Sequence, residues 1–199
     1  MPDPILTPTG HAVPAAFTRA MLDWLPWLEP MPEAALTPHH VAALVDPARV
    51  KSAYFRLLVR DPDALEARTR TDKDIFYNPE AGLPRAEREL AAAAASRFNG
   101  CIYCASVHAR FAVTYSKRDA DVDRLLAEGV GVDLGARWNA IVAAAVALSA
   151  TPTRFGPAHV TALRDAGLDD EAISDLIHAA SFFNWANRLM LSLGEPALP

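Results

Sequence analysis

Cysteine is nearly absent: the 199-residue chain has two, Cys101 and Cys104. A chain stapled by disulfides spreads its cysteines to close long loops, and a pair three residues apart closes almost none. Stapling is therefore set aside, and the pair reads as chemistry. Long apolar runs are missing too; none approaches the roughly 18–20 residues that span a bilayer. The start, Met1 to Leu6, has neither a basic n-region nor an apolar h-region. The expectation is a cytoplasmic protein without membrane contact. Basic clusters are lacking, and the net charge is -5, which speaks against nucleic acid as a partner. No alternating Val/Ile/Thr run marks a strand or a hairpin. No second CxxC and no HxxxH accompanies the thiols, so a zinc site, which wants four ligands, is a weaker reading than redox chemistry.

What is present is apolar and helical. Hydrophobic residues make up 51% of the chain, enough for one domain with a sizeable core. Sixteen prolines stand against nine glycines, the signature of many short helices with proline at their starts. Thr37-Pro38, Asp46-Pro47 and Asp61-Pro62 are three such starts in succession, with Thr or Asp as N-cap. The second is expected to open a helix through about Val59, the third one to about Phe76.

Residues 1–14 read as an irregular arm, and Ala15 to Leu25 as a short helix ending near Pro26. Trp24 and Trp27 are expected to cover the core or a subunit contact. Pro84 opens a helix to about Phe98, whose alanine run Ala91–Ala95 lets a neighbour approach closely. Asn99-Gly100 breaks it, and a helix from about Cys101 to Lys117 follows. Shorter helices come next, then a strongly apolar one over Ala136–Ala150. A last long helix, capped by Asp169 or Asp170, runs to Leu193. The fold class is all-α, in one domain.

The informative stretch is Gly100-Cys101-Ile102-Tyr103-Cys104-Ala105-Ser106-Val107-His108. With Cys101 at a helix start, Cys104 falls in the first turn, where free N–H groups and the helix dipole favour a thiolate. Sulfurs at i and i+3 can meet in a disulfide. His108 lies one turn beyond Cys104 on the same face, placed to take its proton. Glu89, on the preceding helix, is a candidate to orient His108; Glu87, two residues away, points to the other side. His39, His40, His159 and His178 have no partner spacing, and His178 reads as a satisfied core or interface histidine. Asn184, Asn187 and Arg188 read as helix ties, and Tyr54, Phe55 and Phe76 as core or pocket wall.

The run Arg88-Glu89-Leu90, Asn99 to Cys104 and His108 resembles the alkylhydroperoxidase D-like, or carboxymuconolactone decarboxylase-like, superfamily. Its pattern is a glutamate twelve positions ahead of CxxCxxxH, and the core resemblance spans about Leu83 to Lys117. Phe182 to Arg188 is similar to the ending of the peroxidase-related branch, and Tyr54-Phe55-Arg56 with Asp72 to Tyr77 to a less characterised subgroup of it. The resemblance implies an alkylhydroperoxidase D-like helical bundle over 83–199, an N-terminal helical extension over 1–82, and a homo-oligomer, trimer or hexamer.

It also implies a peroxidase cycle without a bound cofactor. Cys104 is the peroxidatic thiol, Cys101 resolves it, and His108 with Glu89 forms the proton relay. The partners implied are a small-molecule hydroperoxide and an external dithiol reductant such as a lipoyl group. Characterised peroxidases of the family carry histidine just before the second cysteine; here it is Tyr103, a poor proton shuttle at neutral pH. Two other classes stay open. One is a thiol-disulfide oxidoreductase or redox sensor. The other is a cofactor-free lyase that uses His108 and Glu89 and needs no thiol.

Overall fold

The computed structural model describes residues 5–199. The architecture is all-α: nine α-helices among the described residues, plus one two-stranded ribbon. The helices are α1 (Pro38–Ala43), α2 (Ala53–Leu58), α3 (Pro62–Tyr77), α4 (Arg85–Phe98), α5 (Ile102–Ser116), α6 (Asp119–Glu128), α7 (Ala136–Ser149), α8 (Pro157–Asp165) and α9 (Asp170–Leu193). None of the described helices is long and apolar enough to cross a membrane.

The proline-led starts act as read. Thr37, Asp46 and Asp61 each accept a backbone N–H with the side chain, from His40, Ala48 and Ala64. Pro at the next position loses no hydrogen bond, because that N–H has no intrahelical acceptor. Asp169 caps α9 through Ala172 N–H at 2.8 Å.

Helix α4 is the centre of the bundle and packs on α5, α7 and α9. Ala91 to Ala95 are all fully buried. Their small side chains bring three neighbours close to one axis; the gain is close approach rather than large area per residue. Leu90, Ile141, Leu125, Leu163 and Leu176 fill the space around it, each contributing roughly 1.5–3 kcal/mol by leaving water. A smaller cluster, Leu44, Val59 and Leu65, holds α1 and α2 onto α3.

On this frame Glu87 turns away from Glu89 and meets α7. Arg137 Nε and Nη2 donate to its two carboxylate oxygens at 2.7 Å each, and Arg137 Nη1 reaches the Ala166 and Gly167 carbonyls that end α8. Arg137→Ala leaves a carboxylate that is 7% exposed without its cation. The expected cost is about 2 kcal/mol, less than the ~3–5 of a fully buried pair because Arg137 is partly wet. Urea denaturation measures it; an unchanged midpoint would show the pair to be neutral.

Three sequence expectations are corrected. Ala15 to Leu25 is not a helix: Asp23–Pro26 is a strand, β1, paired antiparallel with β2, Gly194–Ala197. The partner strand, which sequence-local reasoning does not see, overrides local helix propensity. Trp24 then packs edge-on to Tyr54, and Gly194 passes so close that a Cβ there would overlap the Trp24 indole and the Leu25 carbonyl. Second, the segment from Asp46 to Val59 is not one helix but a 3-10 turn, Pro47–Lys51, followed by α2. Ser52 is extended between them, while Arg49 is held inward by Thr69 at 3.0 Å. Third, His178 is exposed in the single chain and so is not a core histidine; the buried face of α9 is carried by its neighbours Ala179 and Ala180.

Candidate functional site

The site is built by the way α4 ends. Gly100 takes φ +82°, a left-handed value open to glycine. Asn99 N–H returns to Ala95 O and Cys101 N–H to Ser96 O, both at 2.9 Å. This is a Schellman-type stop, and it makes the residue after the glycine the N-cap of α5. Cys101 occupies that position and Cys104 follows in the first turn. The stop is clamped to α9: Asn99 Nδ2 donates to Asn184 Oδ1 and Asn187 Oδ1, and Asn187 Nδ2 donates to Ser96 Oγ at 3.0 Å. Asn187 is fully buried. The expected role of Asn184 and Asn187 as helix ties holds, and the Asn187 amide adds a second, because it favours the charged form of both thiols.

The two thiols are free, and their Sγ atoms stand 2.8 Å apart. Cys104 lines a cavity of about 210 Å³; Cys101 sits behind it. His108 and Glu89 line the same cavity. Glu89 Oε2 is 2.6 Å from His108 Nδ1, and Glu89 is 1% exposed. A carboxylate there accepts an N–H from Nδ1, which leaves Nε2 with the lone pair. Among the described residues no hydrogen bond joins His108 to Cys104; the two are neighbours by helical turn. The structure thus brings Glu89, Cys104 and His108 together on the lining of one cavity, with Cys101 directly behind Cys104.

Several parts of the site carry no motif. Arg85, one turn before Glu89, donates Nε to Glu89 Oε1 at 3.2 Å. Its guanidinium is stacked over Tyr77 and Tyr115, 4.1 and 4.4 Å from the ring centres. The i,i+4 spacing was a legible signal for this contact. The imidazole of His108 is wedged between Phe76 of α3 and Phe183 of α9, at ring-centre distances of 5.2 and 3.8 Å. Those contacts are tertiary and leave no local trace. Tyr54, Phe55 and Phe76 line the cavity, as pocket wall was expected to.

Electrostatics divide the two sulfurs. The helix-start expectation favours a thiolate at Cys104, but burial pushes the Cys104 thiol well above the ordinary thiol range, and the neighbouring Cys101 sulfur raises it further. Cys101 is instead lowered, chiefly by its hydrogen bond with Cys104, with Asn187 assisting. The first ionisation of the pair therefore centres on Cys101. A titration followed by ultraviolet thiolate absorbance should therefore show one proton lost below the ordinary range and the second far above it. Cys104→Ala should move the Cys101 step upward, because its largest stabilising partner is gone. Two thiols that titrate together would refute this order. Burial also pushes the Tyr103 phenol up, so it stays neutral. Among the described residues no group of three or more His, Cys, Asp or Glu is placed to hold a metal ion.

Comparison with known proteins agrees with this fold. Residues 62–147 match the model of the carboxymuconolactone decarboxylase family. A comparison with curated proteins finds no match. Among solved structures, the chain is similar to the alkylhydroperoxidase core of an uncharacterised peroxidase-related protein from Ralstonia eutropha, with TM-score 0.69 and 22% identity, covering 87% of this chain and 90% of that one. An uncharacterised peroxidase-related protein from Silicibacter gives TM-score 0.66 and 21% identity, covering 96% and 94%. A cysteine-to-alanine variant of the debrominase Bmp8, in complex with 2,3,4-tribromopyrrole, gives 0.63 and 18%, covering 82% and 87%. The segment that matches the family model holds Glu89, both thiols and His108, and the helical bundle around it has the fold of these alkylhydroperoxidase-like structures.

Proposed function

We propose that the chain is a thiol-dependent peroxidase that reduces organic hydroperoxides. One observation carries the reading: Cys104 faces an apolar cavity with a second thiol 2.8 Å behind it and the His108–Glu89 pair beside it. Cys104 thiolate attacks the distal oxygen of the hydroperoxide. The O–O bond breaks, its electron pair leaves on the alkoxide, and Cys104 becomes a sulfenic acid. The proton taken from Cys104 by His108 returns to the alkoxide, giving the alcohol. Cys101 then attacks the Cys104 sulfur, water departs, and the disulfide forms. An external dithiol, such as a dihydrolipoyl group, reduces it by exchange and is itself oxidised.

The raised Cys104 thiol fits this cycle through its neighbours. Cys101 ionises more readily, and passing the Cys104 proton to the Cys101 sulfur, or to His108, puts the thiolate on the sulfur that faces substrate. A thiolate exposed only on demand is protected from solvent oxidants. Tyr103 cannot supply a second relay at neutral pH, so turnover is expected to be slower than with a histidine there.

A coupled assay tests the reading: reduced protein, an alkyl hydroperoxide and a dihydrolipoyl donor. Catalytic consumption of peroxide supports it. No consumption, with a Cys101–Cys104 disulfide still forming readily under a thiol oxidant, replaces it with a disulfide oxidoreductase or redox sensor. Activity on a small metabolite that survives loss of both cysteines would favour the lyase class instead. The debrominase neighbour supports one further substrate class for the same dithiol, an aryl halide reduced to arene and halide as the disulfide forms.

A further inference from the structure

The cavity lining carries charged side chains besides Glu89, and with their partners the charges around it do not balance. Glu89 is taken by Arg85 and His108. Asp72, also in the lining, has Oδ2 3.6 Å from both Arg49 Nη2 and Arg68 Nη1. Arg49 also donates to Thr69 Oγ1. Two guanidiniums therefore face one carboxylate, a surplus of one positive charge. The two ion pairs are equally long, and Arg68 is the arginine of the two that lines the cavity. It is 9% exposed, lines the cavity, and its Nε and Nη1 have no hydrogen-bond acceptor; a separation of 3.6 Å is beyond one. Its guanidinium lies over Phe182 and Phe55, at 5.2 and 5.6 Å, rings that hold it in place but accept nothing from Nε and Nη1.

The Tyr54 hydroxyl belongs to the same lining, is buried, and also lacks a partner. Burial raises its pKa, so it stays an O–H donor. Buried donors without acceptors are costly, on the order of 1–3 kcal/mol each and more when charged. Here they gather on the wall of one cavity that is otherwise mostly aromatic and aliphatic. An acceptor that enters the cavity satisfies them together, and a carboxylate matches a guanidinium fork better than any neutral group.

We propose that Arg68, with the Tyr54 hydroxyl beside it, forms a carboxylate-binding subsite, so that the cavity takes a mainly apolar organic acid whose reactive end faces Cys104. Under the peroxidase reading, on which this rests for its chemistry, the substrate is a hydroperoxide that also carries an acid group. The electrostatics of the site agree, because Arg68 also acts on the Cys104 sulfur to favour its charged form. The binding geometry does not depend on turnover.

The test separates the two. Calorimetric binding of octanoate and of methyl octanoate to the reduced wild-type protein should favour the acid by about ten-fold or more, as a hydrogen bond to a charged group implies. The preference should fade as pH falls through the ligand's own carboxyl pKa, near 4–5. Arg68→Met should abolish the preference while ester binding remains, and Arg68→Lys should keep part of it. Equal affinity of wild type for acid and ester overturns the subsite, as does a preference that survives in Arg68→Met. If Arg68→Met does not fold, the wild-type and Arg68→Lys comparisons decide alone. Selective acid binding without peroxide turnover would leave the subsite standing and remove the peroxidase. Turnover of acid and ester hydroperoxides at equal kcat/KM would do the reverse.

Discussion

Cys104→Ser is expected to abolish peroxide consumption, and Cys101→Ser to leave one turnover per protein that stops at a sulfenic acid. The two outcomes differ because the two sulfurs differ in place. Cys104 is on the cavity wall, whereas Cys101, 2 % exposed, sits behind it at 2.8 Å. A serine hydroxyl is not ionised at neutral pH and is a poor nucleophile toward peroxide, so the attack step is lost by many orders of magnitude. In Cys101→Ser the attacking sulfur is intact but nothing lies within reach to displace water from the sulfenic acid. Stopped-flow peroxide consumption, with mass spectrometry of the trapped sulfenic acid, distinguishes them. Continued cycling of Cys101→Ser would sink the resolving role. A Cys104→Ser protein that still consumes peroxide through Cys101 would reverse the assignment, and the lowered Cys101 pKa gives that outcome a physical route. Both substitutions conserve volume closely, so the fold should survive them.

Glu89→Gln should slow the oxidation of Cys104 by about 10²–10⁴-fold, the usual range for loss of a positioned proton relay. The two Glu89 oxygens accept from two donors, Arg85 Nε at 3.2 Å and His108 Nδ1 at 2.6 Å. A glutamine has one carbonyl oxygen and cannot accept from both with separate atoms. With its oxygen toward Arg85, its amide N–H faces Nδ1 and forces the other tautomer, with a proton on Nε2 and no base free for the thiol. With its oxygen toward His108, it leaves an N–H against the guanidinium. Either arrangement costs about 1–3 kcal/mol of stability as well, so unfolding must be monitored alongside. Single-turnover oxidation across a pH series separates the effects: a relay defect lowers the rate without lowering peroxide affinity. An unchanged single-turnover rate would remove Glu89 from the relay.

The bulk of the helical fold was readable along the chain, and for local reasons. A Thr or Asp before Pro caps the helix it starts, whatever lies elsewhere, so Thr37, Asp46 and Asp61 mark their starts correctly. The run Asn99-Gly100-Cys101 is equally local: a left-handed glycine ends α4 and leaves the next residue to begin α5. That break, with the i+3 and i+4 spacing beyond it, already puts Cys101, Cys104 and His108 within reach of one another. The split between Glu87 and Glu89 follows from helical periodicity in the same way.

What the sequence could not decide were features whose cause lies in a distant segment. Asp23–Pro26 is a strand because Gly194–Ala197 lies beside it; its own residues would serve a helix as well. The field at Cys104 was read from the helix dipole, yet burial outweighs it, and burial is set by how α3, α4 and α9 close over α5. Arg68 shows the same thing most plainly. Alone, it is one arginine among several on α3, better placed for water than for a cavity. Packing against Phe55 and Phe182 removes it from water and leaves Nε and Nη1 without an acceptor. The sequence by itself determined the helices, their caps and the spacing of the thiols, because those depend on neighbours within a turn. The tertiary structure decided which sulfur faces the cavity, which ionises more readily, and which arginine lines the cavity, because burial and pairing exist only once distant helices meet.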